Sequence, residues 1–586
     1  MPVDPMKDAE LVAADAVENR RAPSSALSIW LAGLAAAGSF LIFGVLTAGP
    51  AGARLIYGWF LGVSLIRLLP LGALLLGGIA FAVMLRAMGL APRGQSLASA
   101  LSGDWRRYAA LLIAAAVGLS LAAVWLLRAF PNSGDEAAYL FQAKTFLAGR
   151  LWNPLPPVPE LFATYRLRFL GAKWLATYPP GWAALLSGGM GLGLPAWLVA
   201  PLSGGVLLFA LLKLGLRRDG PLGGLLAVGL VAFSPFFVFN AASYFNHVPA
   251  AAAGLMFCWA ARAFLDRPRV ATALLAGLAL GVLGLIRPED AAIFALACGV
   301  EFFWRARGRH YRLAPIVGLA GLPFLALLSL YYLAIGGSVL PPGVHTVHFG
   351  LSPIDNAGHR LSFTHQLAMA LDRIVMLAEW TSPLLVLGVA AAYVHLTQKR
   401  RLNFIDLVFP MFVLAYLLVP FDGSNQYGPR YYFEAFPCLV LTLVSGLAPL
   451  LTDAARPQKS AGAWLLLWAH GAVSLLVLAF VAWWMHMLVD QRLDLLDQVR
   501  AAHLRNAVVV VDASTSVIYP MKPRDLVRNG IDADGSVIYV LDIPELLPKL
   551  QQALPQRRFY IYQRNPQNPV GSLRPLRLAG GPAPHD

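Results

Sequence analysis

The chain has 586 residues, of which 58% are hydrophobic and only 13% are charged, and its mean hydropathy is +0.63. Because a soluble chain carries about 25% charged residues, this composition excludes a string of soluble domains and indicates a polytopic membrane protein. The net charge of +15 does not indicate nucleic-acid binding, since the basic residues cluster in short loops between apolar runs, as the positive-inside rule describes.

The apolar windows predict about thirteen transmembrane helices. Residues 1–25 mix acids and bases and predict a cytoplasmic tail rather than a signal peptide. Residues 26–108 then carry two helices that precede a catalytic core at 109–488. The thirteen windows are Ala26–Thr47, Leu68–Leu90, Ala109–Phe130, Pro195–Leu216, Leu222–Asn240, Val248–Leu265, Ala271–Ile286, Ala291–Trp304, Leu313–Ile335, Ala378–His395, Ile405–Phe421, Phe433–Leu451 and Ala463–Leu488.

The charges of the loops predict the orientation. If the N-terminus is inside, the outer loops 131–194 and 336–377 and the C-terminal tail lie outside, in the periplasm of a bacterial inner membrane. This assignment requires Trp182–Leu194 to be an interfacial helix, which fits its short length and the breaker sequence Tyr-Pro-Pro-Gly before it. The basic loops that then fall inside are 91–108, 217–220, 266–270, 305–312, 397–403 and 453–460.

The tail at 489–586 predicts a small periplasmic α/β domain. Its apolar runs at 507–511, 537–541 and 559–562 are typical of buried strands. A helical pattern at 544–554 separates the second strand from the third, and this order of elements indicates a layered α/β unit.

Two adjacent carboxylates, Asp135 and Glu136, stand where the helix at Ala109–Phe130 should leave the membrane. We expect Asp135 to act as a general base toward an acceptor hydroxyl. Glu136 could position Asp135, hold a metal or cap the following helix. A divalent metal stays an open question, with Glu136 and Glu160 as its candidate ligands. The alternative for the whole stretch is a helix N-terminus, at which Ser133 and Asp135 are favoured cap residues.

Three cations are candidates for binding a phosphate. Lys173 lies in an outer loop, against the positive-inside bias, so it indicates an anionic ligand or a side chain that snorkels to the interface. Arg287 lies in the turn Arg-Pro-Glu-Asp between two spans, and it either serves a site or pairs with Asp290. Arg430 is the favoured phosphate ligand, because a guanidinium fork matches phosphate oxygens.

Polar and aromatic residues near the outer ends of helices are candidates for contacting substrate. Amide and hydroxyl groups suit sugar hydroxyls, although turn formation and an interfacial aromatic belt are the alternatives. The four histidines of loop 336–377 match no zinc spacing. The candidates are Tyr139, Tyr178, Asn246, His247, His348, Tyr427 and Tyr431.

Taken together, these motifs resemble the GT-C superfamily of membrane glycosyltransferases. The resemblance rests on the acidic pair, the Tyr-Pro-Pro-Gly before an interfacial helix, the central Arg-Pro and the late Gly-Pro-Arg-Tyr-Tyr. It points to the bacterial relatives of protein O-mannosyltransferases and of the lipid A aminoarabinose transferase. It implies a polyprenyl-phosphate sugar donor, inversion at the anomeric carbon, and Asp135 as the base.

One departure from the family bears on the metal. The aminoarabinose transferase has a Glu-Lys pair before its Pro-Pro, where this chain has Thr177-Tyr178. Arg287 and Arg430 therefore gain importance as phosphate partners. The acceptor stays open among an envelope glycan, a lipid and a protein. The alternative functions are a transporter or flippase of lipid-linked substrates, which should carry polar residues in mid-span, and a membrane anchor that presents the tail.

Overall fold

The computed structural model describes residues 26–48, 61–90, 94–164, 166–339, 363–399, 401–419, 424–425, 427–515, 522–565 and 570–578. The predicted tail at 1–25 and His348 lie outside these residues. The helices are α1 (Ala26–Ala48), α2 (Leu61–Ala87), α3 (Gly94–Gly103), α4 (Trp105–Leu126), α5 (Gly134–Leu147), α6 (Pro180–Gly191), α7 (Ala196–Ala232), α8 (Pro235–Ala241), α9 (His247–Asp266), α10 (Val270–Ile286), α11 (Pro288–Arg305), α12 (Arg309–Gly336), α13 (Phe363–Trp380), α14 (Pro383–Gln398), α15 (Phe404–Tyr416), α16 (Phe436–Leu451), α17 (Pro457–Ala501) and α18 (Leu547–Ala553).

Short strands complete the secondary structure. Three 3₁₀ helices, at Pro159–Phe162, Arg430–Tyr432 and Pro523–Leu526, lie between them in the chain. The strands are β1 (Asn153–Pro154), β2 (Leu167–Leu170), β3 (Lys173–Ala176), β4 (Ser424–Asn425), β5 (Gly428–Pro429), β6 (Ala507–Val511), β7 (Val537–Leu541), β8 (Arg558–Gln563) and β9 (Ser572–Pro575).

The chain is a multi-pass membrane protein. In the described part of the chain six helices are long and apolar enough to cross a bilayer, and α13 with α14, bent by 117°, would add a seventh. Helices α10, α15 and α16 are apolar but have only 17, 13 and 16 residues. The count of thirteen spans therefore stays a prediction, although a helix lies at each predicted window.

Helix α7 contains the inner turn that the sequence places between two spans. Asp219 and Gly220 leave helical geometry there, and Gly220 has φ +71°, a conformation that glycine adopts without strain. The two halves pack tightly beside this break, because a Cβ on Gly215 would lie 2.7 Å from the Cα of Gly224. The predicted windows on either side of 217–220 thus form a close helical hairpin.

The outer loop between α4 and α7 is folded. It contains α5, a small antiparallel sheet of order β1-β3-β2, and α6, which occupies the place of the predicted interfacial helix. Trp182 of α6 is fully buried, and its indole N–H donates to the carbonyl of Tyr244 at 2.7 Å. The loop is therefore fixed against the helix ends below it.

The C-terminal region forms a four-stranded sheet of order β7-β6-β8-β9. Strand β6 pairs in parallel with both β7 and β8, and β9, which the sequence patterns do not predict, adds an antiparallel edge. The predicted domain start at 489 falls within α17, which runs on unbroken to Ala501. Val508 and Val510 share a core with Phe162 and Trp174 of the outer loop, so sheet and loop pack together.

Candidate active site

Ser133 starts helix α5 and places both acids in its first turn. The Ser133 hydroxyl accepts the Glu136 N–H at 3.2 Å and donates to the Glu136 carboxylate at 3.1 Å. Acidic side chains are favoured in this turn by the partial positive charge of the helix N-terminus. The helix cap that the sequence offers as an alternative is present, together with an open cleft beside one of the two acids.

Glu136 points away from the cleft and is fully buried. Its Oε2 accepts the Tyr244 N–H at 3.0 Å and lies 3.4 Å from the Tyr427 hydroxyl. Burial raises the pKa of Glu136 to about 7, although the Tyr244 N–H and the Ser133 hydroxyl both lower it. Glu136 therefore connects α5 with two distant segments of the chain.

Asp135 faces the cleft. Its Oδ1 accepts a hydrogen bond from the Tyr178 hydroxyl and lies 3.4 Å from Nε of Arg166, while its Oδ2 lies 3.6 Å from Arg430. Burial raises the pKa of Asp135, but the charges of Arg166 and Arg430 and the Tyr178 hydroxyl outweigh burial and hold that pKa below its ordinary value. The carboxylate is therefore ionised at neutral pH.

We call this cleft the outer cleft, because the sequence predicts that the acidic turn lies outside the membrane. Its volume is about 90 Å³, which is room for several water molecules or for a phosphate group. It lies between the start of α5, the starts of α9 and α11, and the end of α15. Besides Phe245, Glu289 and Tyr416, the lining includes most of the predicted site residues: Asp135, Tyr139, Tyr178, Asn246, His247, Arg287, Arg430 and Tyr431.

Arg430 is held in place by a tight turn. Gly428 precedes it with φ +77°, and a Cβ at this glycine would meet the Trp380 ring at 2.9 Å, so only glycine fits. The Arg430 guanidinium lies 4.0 Å from the centre of the Phe245 ring and is nearly buried. The predicted phosphate ligand therefore reaches the cleft from a rigid support.

Arg287 belongs to a network of buried ion pairs. Its Nε donates to Asp290 and lies 3.2 Å from the Glu434 carboxylate, and its Nη2 donates to the Tyr416 hydroxyl at 2.6 Å. His247 Nδ1 lies 2.8 Å from the same Glu434 oxygen. The internal Arg–Asp pair that the sequence offers as an alternative is present, and Arg287 also lines the cleft.

Stacked tyrosines form two of the walls. The rings of Tyr139 and Tyr178 stack with centroids 4.1 Å apart. Tyr416 and Tyr431 stack at 4.8 Å. Flat aromatic faces with polar edges are suited to a sugar ring.

Two arginines of the C-terminal region hold the loop that precedes α5. Arg492, fully buried on α17, donates to the backbone carbonyl of Asn132 at 2.9 Å and to its side-chain oxygen at 2.6 Å. Arg528 donates to the carbonyl of Pro131 at 2.6 Å and lies over the Phe130 ring at 4.4 Å. The position of the acidic turn therefore depends on residues 360 and 397 positions later in the chain.

No family model and no curated protein matches the chain. Among solved structures, ArnT from Cupriavidus metallidurans bound to undecaprenyl phosphate aligns at 13% identity over 77% of this chain and 92% of its own, with a TM-score of 0.48. The apo oligosaccharyltransferase of Archaeoglobus fulgidus aligns at 11% identity over 78% and 69%, with a TM-score of 0.40. The arabinofuranosyltransferase AftD from Mycobacteria aligns at 16% over 78% of this chain but 35% of its own, with a TM-score of 0.44.

The resemblance of the sequence motifs to the GT-C superfamily stays a prediction.

Some predicted site residues lie outside the cleft. The Lys173 ammonium donates to the carbonyl of Ala334 at 2.8 Å and lies 4.3 Å from the Trp152 ring centre, so it anchors the outer sheet to α12 instead of facing the cleft. Tyr427 is fully buried behind Glu136. Neither Lys173 nor Tyr427 lines the cleft in this structure, and their roles in substrate binding stay predictions.

The two candidate metal ligands are not brought together at the cleft. Glu136 is buried behind it, with both carboxylate oxygens bonded to protein groups. Glu160 is exposed on the 3₁₀ helix at Pro159–Phe162 and does not line the cleft. Within the described residues, no group of three or more His, Cys, Asp or Glu side chains has a metal-binding arrangement.

The structure also brings Arg166, Phe245, Tyr416 and Glu434 to the site. Arg166 carries a signal, because it is a cation in an outer loop. Phe245, Tyr416 and Glu434 carry none, since an aromatic or acidic residue at a helix end has many structural uses and their partners are distant in the chain.

Proposed function

We propose that this protein is an inverting glycosyltransferase that moves a sugar from a polyprenyl-phosphate donor to a periplasmic acceptor, with Asp135 as the general base. The observation that carries the proposal is the Asp135 carboxylate, ionised and open to a cleft in which the guanidinium groups of Arg166 and Arg430 flank it. A base and cations for a leaving phosphate thus lie within one small space.

The reaction proceeds as a single displacement. The acceptor hydroxyl oxygen attacks the anomeric carbon while its proton passes to a carboxylate oxygen of Asp135. The bond between the anomeric carbon and the phosphate oxygen breaks, and the polyprenyl phosphate leaves with the electron pair. A base for the acceptor proton and cations for the leaving phosphate both favour this charge movement.

The arginines have two roles in this scheme. Without donor, Arg166 and Arg430 pair with Asp135 and keep its pKa low. A bound phosphate competes for these guanidinium groups, because phosphate accepts their forked N–H donors well. The Asp135 carboxylate then loses part of its stabilisation, its pKa rises, and it becomes a stronger base when substrate is present.

Arg287 contributes less to the phosphate site than the sequence indicates. Its charge is matched by Asp290 and Glu434, so it holds the cleft wall together. His247 is fixed by the same Glu434 through Nδ1, which leaves Nε2 as the nitrogen for substrate. Asn246 lines the cleft next to it and offers an amide to a sugar hydroxyl.

The test compares Asp135→Asn with Asp532→Asn, a matched control whose exposed carboxylate pairs with Arg150 far from the cleft. Membranes of a deletion strain carrying each variant are assayed for sugar-containing envelope product by mass spectrometry. We expect Asp135→Asn to lower transfer by about 10²- to 10⁴-fold, the usual contribution of a general base. The control should transfer at the wild-type rate.

Donor class is tested separately, by native mass spectrometry of the purified protein with undecaprenyl phosphate as the probe. The wild type and Asp135→Asn should both retain this lipid, and Arg430→Ala should lose most of it. Wild-type transfer by Asp135→Asn would remove this residue from the role of base. Equal retention of undecaprenyl phosphate and phosphatidylcholine by the wild type would remove the donor class.

A further inference from the structure

A second cavity lies at the opposite ends of the helices that form the outer cleft. Helix α9 begins with His247 at the cleft and ends with Asp266 at this cavity, and α11 likewise ends there with Arg305. Helix α15 runs the other way, from Ile405 to Tyr416. At about 1.5 Å per residue, α9 is roughly 30 Å long, which is the thickness of a bilayer's hydrocarbon core.

The cavity is lined by guanidinium groups. Its volume is about 370 Å³, four times that of the outer cleft. We call it the inner arginine pocket. Besides Asp266 and a few apolar and amide side chains, its lining consists of Arg217, Arg218, Arg262, Arg305 and Arg401.

The carboxylates of the inner arginine pocket already have several partners each. Asp266 pairs with Arg217 at 2.8 Å and with Arg262. Glu301 lies 2.7 Å from both Arg262 and Arg305. Since each guanidinium has five N–H donors, these arginines keep further donors that can bind another acceptor.

Two arginines of the pocket have a charge or a donor group that an anionic ligand could bind. Arg401 is exposed and forms no ion pair within the described part of the chain. Arg218 donates through Nη2 to Asp406 at 2.8 Å, whereas its buried Nη1 has no hydrogen-bond acceptor among the described residues. A buried donor without an acceptor is costly, so an oxygen-rich anion would stabilise this arrangement.

Exposed apolar side chains neighbour residues of the inner arginine pocket in the chain. Trp304, next to Arg305, is 75% exposed, and Phe303 is 74% exposed. Aromatic residues are enriched at the level of lipid headgroups. Leu402, which lines the pocket, is also exposed. A ligand with a phosphate group and acyl chains would contact both parts of this surface.

We propose that the inner arginine pocket binds the phosphate group of an anionic phospholipid headgroup in the leaflet opposite the outer cleft. Basic pockets between transmembrane helices are suited to such headgroups. A bound headgroup would join α7, α9, α11 and α15 at the ends remote from the site. The proposal does not depend on the glycosyltransferase assignment.

The experiment is native mass spectrometry of the full chain, with phosphatidylglycerol and phosphatidylcholine as competing probes. The test variant is Arg305→Gln with Arg401→Gln, because both side chains are exposed and their loss leaves Asp266 and Glu301 paired with Arg262. The matched control is Arg309→Gln with Arg456→Gln, which removes the same charge from exposed positions outside the pocket. Thermal unfolding verifies that both variants fold.

We expect the wild type to prefer phosphatidylglycerol, and the test variant to lose on the order of tenfold of that preference while the control keeps it. Added inorganic phosphate distinguishes a lipid headgroup from free phosphate as the natural ligand. If only other anionic lipids displace phosphatidylglycerol, the ligand is a headgroup. If inorganic phosphate alone displaces it, a lipid ligand is contradicted. Equal binding of the two lipids by the wild type, or equal loss in variant and control, would overturn the proposal.

Discussion

The outer cleft and the inner arginine pocket are built from the same residue types at opposite ends of the same helices, yet their charges are arranged in opposite ways. In the inner pocket the carboxylates are bonded closely, at 2.7–2.8 Å to Arg217, Arg262 and Arg305. In the outer cleft the Asp135 carboxylate lies 3.4 and 3.6 Å from its two arginines.

This difference distinguishes ion pairs that join helices from a carboxylate that can accept a proton. A carboxylate bonded on all sides cannot accept a proton easily, so its ion pairs serve to join helices and to hold arginines for an anion. Asp135 also accepts a hydrogen bond from Tyr178, but its longer contacts with the two arginines lie beside open space and can be exchanged. Under the proposed function, the sugar is therefore transferred at the Asp135 end of the helix bundle.

The difference between the two ends of the helix bundle is tested most directly at Arg430. We expect Arg430→Ala to lower kcat/KM by about 10- to 100-fold, since a charged hydrogen bond to substrate contributes about 1.5–3 kcal/mol. Arg430→Lys should recover part of the loss, because it restores the charge but not the fork. The measurement is steady-state transfer in vesicles. An equal loss from Arg305→Ala would contradict the division between the two ends.

Glu136 offers a test by pH. Burial raises the pKa of Glu136 from its ordinary 4.5 to about 7 in the folded protein. Between these two pH values the folded protein holds a proton that the unfolded chain has released. Stability should therefore fall as pH rises from about 5 to 7, by on the order of 3 kcal/mol. Glu136→Gln should flatten this dependence, as measured by thermal unfolding. A parallel decline in the variant would assign the pH effect to another group.

Substitutions of Arg528 test whether its hydrogen bond to the Pro131 carbonyl positions the acidic turn of the outer cleft. Arg528→Ala should lower kcat by about tenfold with little change in KM, because it frees the Pro131 carbonyl and lets the acidic turn shift. Arg528→Lys should restore part of kcat, as a purely steric role would not predict. A change confined to KM would mean that Arg528 contacts substrate instead.

The smallest effect is expected at the inner end. Arg305→Gln with Arg401→Gln should reduce transfer by less than about threefold, because exposed charges contribute little to local stability and the cleft lies a membrane thickness away. Transfer rates in vesicles of phosphatidylglycerol and of phosphatidylcholine provide the measurement. A loss comparable to that of Arg430→Ala would show that the two ends are strongly coupled.

Sequence patterns predict the helices and the parallel strands of the tail well, since both depend on local periodicity. Strands 507–511 and 537–541 have the observed bounds. The division of labour between Asp135 and Glu136 could not be predicted, because neighbours on a helix point about 100° apart and only distant partners decide which one is buried. The position of Lys173 away from the cleft could not be predicted for the same reason, since its acceptors lie about 160 residues later.

The hydrogen bonds from Arg492 to Asn132 have a consequence for biogenesis. The acidic turn is translated early, but the arginine that fixes it follows 360 residues later. At about 5–20 residues per second, the ribosome needs roughly 20 to 70 seconds to supply it. Every nascent chain thus spends that interval with the acidic turn still lacking this contact, and we expect a product truncated before Arg492 to leave the turn unfixed however well its helices insert.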